Sequence, residues 1–135
     1  MAKAYDRVEW NFLLDVLRKF GFSDLVLSLV RNCISDVSFS VILNSVYKGF
    51  FQSSRGLQQG DPLSPFLFIL GAEVLSRGMQ KEFENGNIGY YYTPRGCPPV
   101  THLLYADDVA IFLNGKKSSI LGMRKFLERY TSCSG

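Results

Sequence analysis

Cysteine is scarce in this chain of 135 residues: Cys33, Cys97 and Cys133 stand far apart, with no C-x-x-C pair. That spacing argues against a disulfide framework or a structural zinc site and makes a reducing compartment the simpler expectation. A long hydrophobic run is also lacking. The most apolar stretch, Phe66 to Ala72, is far shorter than the roughly 20 residues a membrane span needs, so no membrane partner is expected. Met1-Ala2-Lys3-Ala4-Tyr5-Asp6 holds no apolar signal region. Internal repeats, low-complexity tracts, linker-like stretches and a clear nuclear-targeting run are absent, and nothing sets an oligomeric state. Neither sign of charge dominates. A net charge of +3 permits a nucleic-acid partner without arguing for one.

What is present suits one globular domain with a single core, since 47% of residues are hydrophobic and 20% charged. Asp6 and Glu9 have the spacing of a capping box. Trp10, Leu13, Leu14, Leu17 and Phe20 follow at helical spacing, and Gly21 ends the helix. A second helix is expected from Ser23, with Leu25, Val26, Leu29, Val30 and Cys33 facing inward. From Val37 the period changes to two, so Val37, Phe39, Val41 and Leu43 mark a half-buried strand. Asn44-Ser45 would turn the chain into a return strand over 46–51, with Gly49 at a bulge or a close backbone approach.

The next stretch is Ser53-Ser54-Arg55-Gly56-Leu57-Gln58-Gln59-Gly60-Asp61-Pro62-Leu63-Ser64-Pro65-Phe66. Asp61-Pro62 predicts a helix start, and residues 63–84 read as a helix that is buried because it is apolar nearly all round at first. Its leading loop is rich in glycine and amide, so the backbone can approach a ligand; a plain loop feeding a core helix is the other reading. Glycine and proline punctuate residues 84–99, where Tyr90-Tyr91-Tyr92 could form a short strand. Tyrosines can stack on bases, but aromatics at strand positions more commonly pack.

Tyr105-Ala106-Asp107-Asp108 lies between two apolar runs that alternate with period two, which places adjacent carboxylates at a hairpin tip. Like charges this close need a positive neutraliser, and hard carboxylate oxygens suit Mg2+ or Mn2+. A plain Asp-Asp turn is the competing reading. His102, one step from apolar neighbours, reads as structural. Asn114-Gly115 closes the hairpin, and a last helix carries Ile120, Met123, Leu127 and Tyr130, with Arg124, Lys125 and Arg129 on a solvated face. The element order points to an α+β fold with helices on one side of an antiparallel sheet.

Three motifs occur in order: Lys3-Ala4-Tyr5-Asp6, Arg55-Gly56-Leu57-Gln58-Gln59-Gly60-Asp61-Pro62-Leu63-Ser64-Pro65, and Tyr105-Ala106-Asp107-Asp108. Together they closely resemble the palm motifs of reverse transcriptases from non-LTR (LINE-type) retrotransposons. Asp6-Arg7-Val8-Glu9-Trp10 is similar to the plant elements. The resemblance covers essentially the whole chain, so residues 1–135 are identified as a partial reverse transcriptase domain, the palm. It implies a ferredoxin-like antiparallel sheet with helices on one face. The implied activity is RNA-directed DNA synthesis with an RNA template, a DNA primer and dNTPs, through two-metal nucleotidyl transfer.

By the same resemblance Asp107 and Asp108 are the catalytic, metal-binding carboxylates and Mg2+ or Mn2+ the cofactor. Tyr5 would pack under the sugar and test for a 2′-hydroxyl. Gln59 and Gly60 would lie beside nucleotide and template, and the amides near Ala4 and Tyr5 would face the triphosphate. The family carries a further metal-binding aspartate directly before the position of Met1, at the end of a central strand. That catalytic strand is expected to be missing here, as are the segment after Ser132-Cys133-Ser134-Gly135 and the fingers, thumb and endonuclease regions. The expectation is therefore a reverse transcriptase fragment, inactive alone. An upstream aspartate on a longer chain would make it active; a non-catalytic nucleic-acid-binding or assembly module is the alternative. The family acts in the nucleus or cytoplasm, and the sequence does not choose between them.

Overall fold

The computed structural model describes residues 4–35 and 37–135, in which helices alternate with short antiparallel hairpins. The chain divides into two compact units, residues 5–70 and residues 71–135. Met1 and Lys3, which belong to the first motif and its upstream boundary, lie outside the described residues.

In the first unit, α1 (Ala4–Arg7) and α2 (Trp10–Lys19) are separate helices. The capping-box expectation is corrected here. Asp6 sits inside α1, and Glu9 is the extended N-cap of α2, with no side-chain capping bond. The break has a physical cause. The carbonyls of Tyr5 and Val8 accept from the amides of Leu57 and Gly56, each at 2.8 Å, so a distant loop takes acceptors that a continuous helix would use. At the other end of α2, Gly21 takes φ +89°, its amide donates to Arg18, and Phe22 N donates to Leu17 O. These two bonds form a Schellman closure.

α3 (Asp24–Ser35) buries Leu27, Val30 and Ile34. The expected inward face was rotated: Leu25 and Leu29 are exposed, as is Cys33. This helix is apolar on more than one side, so periodicity alone leaves two stripes open. Leu13, Leu14 and Leu17 of α2 pack with the α3 stripe, Leu57 and Leu67 in one cluster. β1 (Ser38–Leu43) and β2 (Val46–Gln52) pair antiparallel, and Asn44 and Ser45 both take positive φ, as a type I′ hairpin turn requires. Ser40 pairs with Phe50 and Val41 with Lys48, leaving Gly49 as the bulged residue at φ +68°. The half-buried expectation holds at Val37 and Phe39 and fails further along the ribbon. Val41 and Leu43 are exposed, as is every residue of β2, although Phe39 and Phe51 stack with centroids 5.6 Å apart.

α4 (Ser64–Glu84) starts one residue later than expected. Asp61 caps it: Oδ1 accepts from Leu63 N at 2.9 Å and the main-chain oxygen from Ser64 N at 3.2 Å. Its start is not buried all round, because Phe66 and Ile69 are exposed while Leu67 is buried. Leu75, Met79 and Phe83 belong to the second unit, where they pack with Ile88, Met123 and Phe126. The tyrosine run makes only a single bridge, Tyr90 to Leu113, rather than a strand. β3 (His102–Tyr105) and β4 (Asp108–Ile111) form a second two-stranded antiparallel sheet. α5 (Lys117–Ser134) buries Ser119, Met123 and Phe126, whereas Ile120, expected inward, is exposed. The α+β class is thus observed as mixed helices with small antiparallel sheets.

Candidate active site

The acidic motif occupies the turn of the β3–β4 hairpin. Tyr105 pairs with Asp108, so Ala106 and Asp107 are the two turn residues. Ala106 has φ +50° and Asp107 is not in the positive-φ region, the pattern of a type II′ turn. An alanine in that conformation is uncommon, because its Cβ crowds the following carbonyl oxygen. The two carboxylates differ in burial. Asp107, in the turn, is half-buried and Asp108, the first residue of β4, is exposed, while Val109, Ile111 and Leu113 pack on the second cluster.

The base of this hairpin is tied down. His102 and Ile111 form the pair farthest from the turn. The His102 ring lies between two hydroxyls, with Nε2 at 2.7 Å from Ser76 Oγ on α4 and Nδ1 at 2.9 Å from Thr101 Oγ1. Burial pushes its pKa below 6.5, opposed by the charge of Glu73. One step beyond the strand, Phe112 N donates to Thr101 O at 2.8 Å. After β4, Asn114 N donates to Gly89 O at 3.0 Å, and the buried Ser119 hydroxyl accepts from Gly89 N at 3.0 Å.

In the first unit the glycine-amide loop borders a cleft of about 410 Å³, whose walls include Asp6, Phe39, Arg55, Leu57 and Gln59. Tyr5 is half-buried, and its ring stacks on Phe68 with centroids 4.5 Å apart and planes 12° from parallel. Gln59 lines the cleft; Gly60 is exposed at φ +87° just outside that lining. Arg55 pairs with Glu9 at 3.5 Å, a partly exposed contact of small energetic weight. The first unit therefore carries Tyr5, Gln59 and Gly60, and the second carries Asp107 and Asp108.

Motif reading missed the residues that hold the loop. Trp10, read as core, donates Nε1–H to Gly56 O at 2.7 Å. Gly56 has φ +92°, and a Cβ there would stand 2.8 Å from the Asp6 carbonyl oxygen. The one local signal was the indole N–H, which seeks an acceptor when buried.

Among the described residues, no three His, Cys, Asp or Glu side chains group around a possible ion position. The donors at the hairpin tip are nonetheless of the right chemistry. Mg2+ keeps several waters and commonly takes one or two carboxylates together with substrate phosphates, so a carboxylate pair at an exposed tip fits that mode of binding.

The turn bearing adjacent carboxylates belongs to one unit, and the glycine-amide loop held against an aromatic helix start belongs to the other. Comparison with known proteins fixes the class: residues 1–134 match the family described as reverse transcriptase (RNA-dependent DNA polymerase), and the chain belongs to that family. An uncharacterized mitochondrial protein of Arabidopsis thaliana is 45% identical over 69 residues, covering 51% of this chain and 57% of that protein. The Pol polyprotein of a type-1 retrotransposable element R2 from Popillia japonica is 28% identical over 111 residues, covering 82% of this chain. That of the type-2 element R2DM from Drosophila melanogaster is 26% identical over 129 residues, covering 96%. These are polyproteins of non-LTR elements, and the matches span 17% and 11% of their lengths.

Proposed function

We propose that residues 1–135 form a partial reverse transcriptase domain, the palm of a LINE-type RNA-directed DNA polymerase. In the complete protein it would extend a DNA primer with dNTPs on an RNA template. The proposed fold is that of the polymerase palm, a ferredoxin-like antiparallel sheet with helices on one face. The observation that carries the reading is the Asp107-Asp108 pair at a hairpin turn within a chain that matches the family from end to end.

In this reading Asp107 and Asp108 hold Mg2+ or Mn2+ through hard carboxylate oxygens. Such an ion, when bound, supplies Lewis-acid neutralisation of phosphate oxygens and eases ionisation of an attacking hydroxyl. The remaining contribution of this chain is positioning. Exposure of Asp108 leaves room for a triphosphate to approach the tip. Tyr5, kept in place by Phe68, is a flat floor for the sugar, where a 2′-hydroxyl would collide with the ring. Gln59 and Gly60 lie beside nucleotide and template, where a glycine at positive φ lets the backbone come close.

The test is titration of the isotopically labelled chain with Mn2+, read as paramagnetic broadening of amide resonances. Broadening centred on residues 105–109, abolished by Asp107→Asn together with Asp108→Asn, is expected. Broadening that those substitutions leave unchanged would refute the reading. Salt-sensitive binding of primed RNA template without any such broadening would favour the non-catalytic module instead.

A further inference from the structure

The hairpin's attachment carries an assignment that the motif does not. We infer that His102 is a positioning residue: through Ser76 on α4 and Thr101 beside it, the ring fixes the base of β3 and so aims the turn that presents Asp107 and Asp108. This inference rests on the carboxylate reading given above.

Leu103, Leu104 and Tyr105 are exposed, so β3 has little apolar anchorage beyond its own pairing with β4. On β4, Val109 and Ile111 lean on the second cluster, which seats that strand. His102 supplies the second point. It pairs across the ribbon with Ile111, and its two ring nitrogens are both engaged, at 2.7 and 2.9 Å. A neutral imidazole donates from one nitrogen and accepts at the other. One hydroxyl therefore accepts and the other donates, which fixes the ring plane as well as its position.

The first turn residue, Ala106, lies four residues beyond His102, about 13 Å along an extended strand. A small rotation at the base is therefore amplified at the carboxylates. An aliphatic side chain could fill the same space, but it would set no such orientation.

A Ser-His pair at 2.7 Å also suggests a nucleophile and its base. The site lacks the rest of that machinery. Ser76 is inside α4, where the flanking amides donate within the helix and are not available to steady an oxyanion. Holding is what this geometry does.

The experiment compares the parent chain with Ser76→Ala, His102→Ala and His102→Gln. In the metal-free chain, residual dipolar couplings of the amides at 103–110 report the aim of the hairpin relative to residues 71–84. Ser76→Ala and His102→Ala should change those couplings while leaving couplings within α4 and α5 intact, and His102→Gln should restore part of the parental pattern. Mn2+ affinity at the tip should fall about three- to tenfold in the two alanine variants, the range expected for losing one or two hydrogen bonds. A purely structural histidine would lower the melting temperature and move neither readout. Unchanged couplings in both alanine variants overturn the inference. If the parent itself shows no Mn2+ broadening at the tip, the metal reading falls, and the couplings alone decide whether His102 positions the hairpin.

Discussion

Replacing Gly56 by alanine tests how the loop of the first unit is held. At φ +92° the backbone is in a region that L side chains rarely adopt, and the added Cβ would meet the Asp6 carbonyl oxygen at 2.8 Å. That oxygen is main chain in α1, so no side-chain rotation relieves the contact. The backbone penalty alone is about 1–2 kcal/mol, and overpacking against a fixed neighbour adds about 1–3 kcal/mol. The expected loss is therefore about 2–5 kcal/mol, a large part of the roughly 5–15 kcal/mol typical of a domain. Gly60→Ala is the control. It has φ +87° but nothing within 4 Å of the added carbon, so only the backbone penalty applies. Urea denaturation followed by tryptophan fluorescence is the assay, because the single tryptophan, Trp10, donates its indole N–H to Gly56 O and reports on this contact directly. Gly56→Ala should denature at lower urea than Gly60→Ala and shift the native emission. Equal midpoints with unchanged emission would refute the reasoning.

Ala106→Gly removes the unfavourable φ of the acidic turn and should stabilise the hairpin by about 0.5–1 kcal/mol after the entropic cost of glycine; amide exchange of Leu104 and Val109 should slow, and faster exchange would count against a strained turn. Ser119→Ala leaves the Gly89 amide without its buried acceptor and should cost about 1–3 kcal/mol in thermal or urea unfolding; a loss within a few tenths would mean another acceptor takes over. His102 makes stability depend on pH. Burial lowers its folded pKa below 6.5, so on acidification the unfolded chain takes up the proton first. The contribution is thus full above about pH 6.5 and is lost as pH falls toward the folded pKa. His102→Gln should flatten that slope below about pH 6.5, and an unaltered slope would place the titration elsewhere.

Much of the fold was legible because each secondary-structure signal was local. Gly21 as a helix stop, Asn44-Ser45 as a hairpin turn, Gly49 as a bulge and Asp61 as a helix cap all depend on residues within a few positions of themselves. The errors have a different origin. Leu25, Leu29, Phe66, Ile69 and Ile120 lie on faces that the apolar pattern marked for burial, yet they are exposed. Amphipathicity tells which side of an element is apolar; whether a neighbour covers that side depends on tertiary packing, which no local window contains. The same limit explains the single helix expected from Asp6. Its interruption is caused by Gly56 and Leu57, far along the chain.

The candidate site divides along that line. Asp107, Gln59 and Gly60 stand in turns and loops and Asp108 directly follows a turn, where backbone demands and ligand chemistry leave recognisable residue types, so they could be picked out by inspection. The residues that hold them could not. Trp10 meets Gly56 across 46 positions and Ser76 meets His102 across 26. Each of these side chains is also satisfied by an ordinary core or helix position, so its type alone reveals no partner. Trp10 and His102 both have an apolar body and a polar edge, and burial of the body is what sequence patterning detects. The edge acts only when its acceptor or donor arrives from elsewhere in the fold. For the acidic hairpin, the motif therefore names the carboxylates, whereas their aim is set by a histidine that patterning could read only as structural.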